Sequence, residues 1–309
     1  MSPEFIVAIV AAIVLVATPI LLAGLGELVV EKSGVLNLGV EGMMLIGAVT
    51  GFAATATWGN PYLGVIAAAV AGAAASMIFG FLTLTLSANQ VATGLALTIF
   101  GGGFSALAGK PFLGKTVPAF VQLFPDALAL HPIWRVVFGY SPVVYFSLFM
   151  CVAIAWFLKR TRAGLILRAV GENDQSAHAI GYSVIGVRYM AVAFGGAMAG
   201  IAGSMFSMVM TPIWAEGLTA GRGWIALALV VFASWRPFRL LAGAYVFGAV
   251  MTLEVHAKAA GGIFSALPPE MWAALPYLAT LLVLVLISLR RSAASSAPAC
   301  LGRPFIPTA

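Results

Sequence analysis

The chain has 309 residues, of which 62% are hydrophobic and only 8% are charged, and its formal net charge is +6. A soluble domain of this length does not carry so apolar a composition, which excludes soluble enzymes and predicts a polytopic membrane protein. In such a protein the excess of Lys and Arg bears on membrane topology, so the positive charge does not indicate nucleic-acid binding.

Apolar runs close to the ~20 residues that cross a bilayer recur along the chain. Nine spans are predicted, at about 5–26, 35–57, 62–86, 91–108, 141–158, 189–210, 221–235, 240–258 and 272–289. Counts of eight or ten stay open, because the span after Gly221 is short and the spans between 62 and 108 are separated by only four residues. The predicted fold class is all-α, a polytopic transmembrane helical bundle that forms one domain over residues 1–291.

Lys and Arg are unevenly distributed over the predicted loops. With the N-terminus outside, eleven of the sixteen basic residues fall on the inner face and five on the outer face. Cytoplasmic loops are enriched in Lys and Arg, so the distribution predicts an N-out, C-in orientation. The inner loop at 159–188 is long and basic. Residues 292–309, which begin with the low-complexity stretch 292–298, are predicted to be a disordered cytoplasmic tail.

The segment 31–46 places the polar residues Asn37 and Glu41 inside an otherwise apolar run. Its glycines are Gly34, Gly39 and Gly42. A charge in hydrocarbon costs roughly 2.5–3.5 kcal/mol on insertion scales, so such a residue is a functional candidate. Glycines beside it indicate a broken or closely packed helix of the kind that transporters place near a permeation path.

Each polar residue of this segment has a functional and a structural interpretation. Asn37 can line a path, because an amide offers a donor and an acceptor to a substrate, or it can form an interhelical hydrogen bond. Glu41 can line the path, brace a helix break, or pair with Lys32 or another basic group. Asn89, Gln90 and Thr93, near the inner end of a span, line the exit of a path or cap a helix.

The inner loop contains the signals of a short helix. Asn173 is a plausible N-cap, Asp174 falls in the first turn where the helix dipole favours an acid, and Gly181 suits a helix end. A helix of about two turns has no apolar core of its own. It therefore either docks on a partner or is a solvated connector, and both interpretations stay open.

Residues 109–116 match the phosphate-binding pattern G-x-x-x-x-G-K-[ST] letter for letter. A working site needs a preceding strand and a following helix. Here an apolar span precedes the motif, Pro118 follows it, and the predicted topology places it outside the cell. We therefore expect this chain to bind no ATP of its own.

Catalytic and metal sites are also not expected. The chain has only two Asp and three His, and its two Cys occupy unlike environments, one in an apolar run and one in the tail. These residues are Asp126, Asp174, His131, His178, His256, Cys151 and Cys300. Their spacing provides no paired-aspartate site, no zinc motif and no disulfide.

The segment Gly171-Glu172-Asn173, followed by Ala177, Ala179-Ile180-Gly181 and Val187-Arg188, is similar to the coupling segment of ABC-transporter permeases for sugars, nucleosides and branched amino acids. Further matches lie at 31–46, 88–94, 195–203 and 217–228, and the first resembles the nucleoside branch most. The resemblance implies a coupling helix that transmits closure of an ATPase subunit to the membrane helices. The residues implied for it are Gly171, Glu172, Asn173, Asp174, Ala177, Ala179 and Gly181.

The resemblance also implies a function and a set of partners. The chain would be the permease of an importer for nucleosides in the bacterial inner membrane, with simple sugars as the alternative substrates. Its partners would be an ABC ATPase subunit that binds the ATP, a second permease subunit, and a periplasmic or lipoprotein substrate-binding protein. An ion-coupled secondary transporter is a further alternative, which would need a carboxylate or His relay in the middle of the membrane.

Overall fold

The computed structural model describes residues 3–120, 123–124, 132–260, 271, 274, 278, 285 and 297–306. The named α-helices are α1 Pro3–Lys32, α2 Val40–Trp58, α3 Pro61–Gly80, α4 Gln90–Gly109, α5 Pro132–Phe138, α6 Pro142–Arg160, α7 Arg162–Glu172, α8 Asp174–Ala179, α9 Val184–Met205, α10 Arg222–Phe232 and α11 Pro237–Ala260. In the described part of the chain, β-structure is confined to two isolated bridges between the segments 113–116 and 213–214. The all-α fold class is therefore confirmed.

Seven of the described helices are long and apolar enough to cross a bilayer. They are Phe5–Lys32, Val40–Trp58, Pro61–Thr85, Gln90–Phe112, Pro142–Arg160, Val184–Met210 and Pro237–His256. Each corresponds to one of the nine predicted spans. The predicted span 221–235 contains only the 11-residue helix α10, and the predicted span 272–289 falls outside the described residues apart from three isolated positions.

The first two helices have different ends from those predicted. α1 continues through Glu27 to Lys32 instead of ending near residue 26, because the carboxylates of Glu27 and Glu31 are buried against the bundle and do not interrupt the helix. The next helix begins at Val40 instead of residue 35. Residues 33–39 between them form a non-helical loop, in which Gly34 has a φ of +92°.

Glycine contacts bring α9 close to α1, α2 and α3. A methyl group on Gly47 of α2 would overlap the backbone of Gly200, and one on Gly72 of α3 would overlap the carbonyl oxygen of Gly196. Small residues at such crossings let the helix backbones approach closely. The resulting van der Waals contacts hold the helices together, because lipid provides no hydrophobic driving force between them. These contacts make α9 the central helix of the described bundle, with Ala199, Ala202 and Met205 buried.

The α10 helix starts inside the bundle. Gly42 at the start of α2 packs against Leu97 and Gly101 in the middle of α4, and Gly223 of α10 packs against the neighbouring Glu41. At 1.5 Å per residue the helix is only about 16 Å long, about half of a bilayer core. The 211–235 region is therefore an irregular stretch followed by a half-helix that begins inside the bundle.

Residues 297–306 correct the expectation of a disordered tail for this part of the chain. The Cys300 N–H donates to the Gly171 carbonyl at 3.0 Å, and the Gly302 N–H donates to the Gly34 carbonyl at 3.1 Å. Cys300 and Phe305 are both buried. The composition of the preceding residues is low-complexity, but these two side chains and the two backbone hydrogen bonds are enough to hold the segment on the bundle.

Candidate functional site

The loop at 33–39 is held to α1 by hydrogen bonds inside the bundle. The Asn37 backbone N–H donates to Glu27 Oε1 at 3.1 Å, and the Asn37 side-chain Oδ1 accepts from the Gly39 N–H at 3.0 Å. Asn37 has no solvent-exposed surface. Its side chain therefore forms a turn that satisfies a backbone donor at the entrance to α2.

The same loop is held to α4 from the other side. Gln90 Oε1 accepts from the Leu36 N–H at 2.8 Å, and Thr98 Oγ1 donates to the Leu38 carbonyl at 3.1 Å. Gly94 lies against the Leu38 backbone with no room for a side chain. Backbone groups within a membrane must find partners inside the protein, and here side chains of α1 and α4 supply them.

The Glu41 carboxylate joins the start of α2 to the start of α10. Its Oε1 accepts from Thr219 Oγ1 at 2.5 Å and from the Gly221 N–H at 2.9 Å, and its Oε2 accepts from the Gly223 N–H at 2.6 Å. A helix N-terminus carries a partial positive charge and unpaired N–H groups, so an anion is stabilised there. Glu41 thus braces the helix break, one of the roles considered for it, and makes no hydrogen bond with Lys32.

Two further buried carboxylates belong to this region. Glu27 and Glu31 lie one turn apart on α1 and are almost completely buried. Glu31 Oε2 accepts from the indole N–H of Trp235, whereas Glu27 Oε2 and Glu31 Oε1 have no hydrogen-bond partner within the described part of the chain. Neither carboxylate was a candidate from the sequence, because the first span was predicted to end at residue 26. Their spacing of four residues next to an apolar run was the available signal.

The five predicted path residues therefore separate into two groups. Asn37, Glu41 and Gln90 are buried; Asn37 and Gln90 bond within the 33–39 loop, and Glu41 bonds the start of α10. Asn89 is exposed and caps α4, since its Oδ1 accepts from the Ala92 N–H at 3.0 Å. Thr93 borders an apolar groove of about 540 Å³ between α3 and α4.

The predicted short helix is present as α8. Asn173 caps it through Oδ1, which accepts from the Ser176 N–H at 2.9 Å, and the chain leaves it at Gly181, whose φ is +92°. Asp174 is buried and pairs with Arg188 at 3.1 Å between Oδ2 and Nη2. This ion pair therefore fixes α8 to the helix bundle, although α8 is only six residues long.

The remaining residues of the implied coupling segment differ in exposure. Gly171 is buried, and a methyl group on it would overlap the Lys32 carbonyl oxygen at the end of α1. Ala177 packs into a small apolar cluster with Val170. The positions open to solvent are Glu172, Asn173, Ala179 and Gly181. The segment thus has an inner side fixed to the bundle and an outer side that is free for contact.

The G-x-x-x-x-G-K-[ST] segment does not have the geometry of a phosphate site. It continues from the end of α4 into a 3₁₀ turn at Lys110–Phe112 instead of linking a strand to a helix. Gly109 packs on the indole ring of Trp214, and the Lys115 ammonium lies 5.3 Å from the ring centre of Phe112. The motif is therefore part of the packing around the end of α4.

Comparison with known proteins places this arrangement in a family. Residues 9–285 match the model of a family described as the permease component of the branched-chain amino acid transport system. A provisionally named glucose ABC transporter permease of Haloferax volcanii is 39% identical over 91% of this chain and 92% of its own length. The guanosine ABC transporter permease of Bacillus subtilis is 30% identical over 96% of each chain, and a nucleoside ABC transporter permease of Lactococcus lactis is 27% identical over 90% of this chain and 91% of its own.

A solved structure supports the fold. A provisionally assigned metal-chelate type ABC transporter in an inward-facing conformation aligns with 90% of this chain and 85% of its own, with a TM-score of 0.52 and 13% sequence identity. The chain is thus an all-helical, multi-pass membrane protein. Because the family model matches most of the sequence, the chain belongs to the branched-chain amino acid transport system permease family.

Proposed function

We propose that this chain is the membrane-spanning permease subunit of an ATP-binding-cassette importer that moves nucleosides across a bacterial inner membrane. The observation that carries the proposal is α8, a capped six-residue helix that an ion pair fixes to the bundle while its outer side stays exposed. A helix this short has no stability of its own, so its anchoring suits a surface that receives force from a partner. The relatives of this chain from Bacillus subtilis and Lactococcus lactis are named as guanosine and nucleoside permeases.

In this proposal a separate ABC ATPase subunit binds and hydrolyses the ATP, and its closure moves α8. The exposed residues Glu172, Asn173, Ala179 and Gly181 contact that subunit. Gly171, Asp174 and Ala177 hold the helix to the membrane domain. No bond of the substrate changes, and this chain itself carries no cofactor.

The substrate path is proposed to run between this chain and a second permease subunit, either a copy or a paralogue. A periplasmic or lipoprotein binding protein delivers the substrate from the side that the N-terminus faces, in an N-out, C-in orientation. Thr93 and Asn89 lie on the accessible side of α4 and are candidates for contact with substrate. Asn37, Glu41 and Gln90 act from inside, by fixing the 33–39 loop and the α10 half-helix next to the path.

Simple sugars are the second candidate substrates. A specific observation favours them, since the relative from Haloferax volcanii named as a glucose permease is 39% identical to this chain. Nucleosides and sugars share a hydroxylated ring, so amide and hydroxyl side chains near the path suit either class.

The test is to purify the chain with its native partners and to reconstitute the complex in vesicles with ATP on the ATPase side. We expect an ATPase and a second permease subunit to co-purify, and labelled guanosine to accumulate only when ATP is present. ATP-dependent accumulation of glucose in place of guanosine would select the second candidate. Uptake without an ATPase, driven by an ion gradient, would refute the importer and direct attention to Glu27 and Glu31.

A further inference from the structure

Arg188, at the start of α9, is a buried junction between three separate segments. Its side chain has no exposed surface. The Nε atom donates to the Ser33 carbonyl at 3.2 Å, Nη1 donates to the Arg303 carbonyl at 3.3 Å, and Nη2 pairs with Asp174 Oδ2 at 3.1 Å. One guanidinium thus contacts the loop after α1, the C-terminal segment and α8.

Stability of the fold alone does not require a buried arginine at position 188. A buried ion pair is weak evidence for stability, because the cost of removing two charges from water offsets most of their attraction. Arginine differs from lysine in presenting several donors in a rigid plane, so it can hold separate acceptors in fixed relative positions. The geometry therefore favours a residue that keeps three segments in register.

The C-terminal segment, residues 297–306, covers the junction at Arg188. Cys300 and Gly302 donate backbone hydrogen bonds to Gly171 and Gly34, which places the segment across α7 and the 33–39 loop. The Phe305 ring packs in an apolar cluster with Ala177 of α8, and it lies 5.4 Å from the ring of His178. The segment therefore contacts α8 and the loop at the same time.

The loop continues from this junction into the interior of the bundle. Three residues beyond Ser33, the Leu36 N–H is held by Gln90, and the Asn37 N–H is held by Glu27. The chain then enters α2, whose Glu41 holds the start of α10. A displacement of Asp174 is therefore connected, through Arg188 and a short loop, to the broken helix.

We propose that Arg188 is the positioning residue that transmits movement of α8 to the 33–39 loop, and that the C-terminal segment keeps α8 seated on it. This inference rests on the proposed function of α8. The inference identifies Arg188 and the 33–39 loop as the route by which movement of α8 reaches the membrane domain. It also gives the C-terminal segment a role in coupling, although the sequence at the start of that segment is low-complexity.

The first experiment compares Arg188→Gln, Arg188→Lys and Asp174→Asn in the reconstituted complex. We expect Arg188→Gln to keep ATP hydrolysis and to lose uptake by about tenfold, within the ~5–150-fold that coupling between sites typically spans. Arg188→Lys should be intermediate, because an ammonium cannot keep all three acceptors. Combining Arg188→Gln with Asp174→Asn should add little to either single change, since both remove the same interaction.

A second variant keeps the proposal testable if Arg188→Gln fails to assemble. Phe305→Ala leaves the Arg188 side chain chemically unchanged and removes the ring that packs the C-terminal segment against α8. The matched control is Ile306→Ala, whose side chain is 65% exposed. We expect Phe305→Ala to raise the ATP hydrolysed per substrate imported, and Ile306→Ala to match the unchanged complex.

The outcomes separate this inference from the proposed function. If the unchanged complex shows no ATP-dependent uptake, the proposed function fails before any variant is compared. If the unchanged complex transports, and the assembled Arg188 and Phe305 variants keep the normal ratio of ATP hydrolysis to uptake, the inference is wrong while the function stands. A raised ratio in assembled variants, with the normal ratio for Ile306→Ala, supports it.

Discussion

Replacing Glu41 by Gln tests whether this carboxylate holds the broken helix together. In the structure it accepts three hydrogen bonds, from Thr219, Gly221 and Gly223, at 2.5, 2.9 and 2.6 Å. The amide of Gln keeps one oxygen for the first two donors and turns an NH₂ group towards the Gly223 N–H. A hydrogen bond to a charged group contributes about 1.5–3 kcal/mol, so we expect Glu41→Gln to destabilise the protein by about 2 kcal/mol.

The measurement is thermal unfolding of the purified protein in detergent. On the scale for domains of 150–250 residues, a loss of about 2 kcal/mol lowers Tm by roughly 4–8 °C. Glu41→Ala should lower it further, because all three donors lose their partner. Glu216→Gln is the matched control, since Glu216 is exposed in the same region and its change should stay within about 0.5 kcal/mol. Equal Tm values for Glu41→Gln and Glu216→Gln would refute the bracing role.

Four other substitutions have expected outcomes. Gly171→Ala should lower Tm and ATP-coupled uptake, since overpacking against the end of α1 costs about 1–3 kcal/mol. Gly181→Asn should keep Tm close to normal, because Asn tolerates a positive φ and nothing in this chain lies within 4 Å of the added carbon, but it should lower ATP-coupled uptake if Gly181 contacts the ATPase subunit as proposed. Lys115→Ala should leave ATP-dependent uptake and nucleotide binding unchanged, and any nucleotide-binding loss would overturn the packing role of that motif. Asn37→Ala should lower Tm, as the buried N–H at the start of α2 loses its acceptor at about 1–3 kcal/mol.

Local chemistry explains what the sequence could predict. Apolar runs predicted the seven described helices that are long and apolar enough to cross a bilayer, because composition determines which segments prefer lipid. The cap at Asn173 and the end at Gly181 were recognisable, since capping depends on residues within one turn. These features rest on neighbours in the chain, and a single sequence contains that information.

Long-range contacts explain what it could not predict. In the sequence, the half-helix α10 is an ordinary apolar run. Only its contact with Glu41, about 180 residues away, shows that it begins inside the bundle. Arg188 was counted among the basic residues of an inner loop, although it is buried against Ser33 and Arg303. The docking of the C-terminal segment likewise depends on acceptors at Gly34 and Gly171, which composition cannot reveal.

The half-helix also constrains how the protein enters the membrane. With 11 residues, α10 is too short to be inserted by the translocon as an independent spanning segment. The backbone of 211–221 is irregular, and most of its polar groups lie outside any helix, so this stretch is not suited to face lipid. We expect α10 to take its final position together with the helices it packs on, α1, α2 and α11, once Glu41 is in place to accept its N–H groups. Substitutions at Glu41 are therefore expected to lower the yield of correctly inserted protein, in addition to destabilising the mature protein.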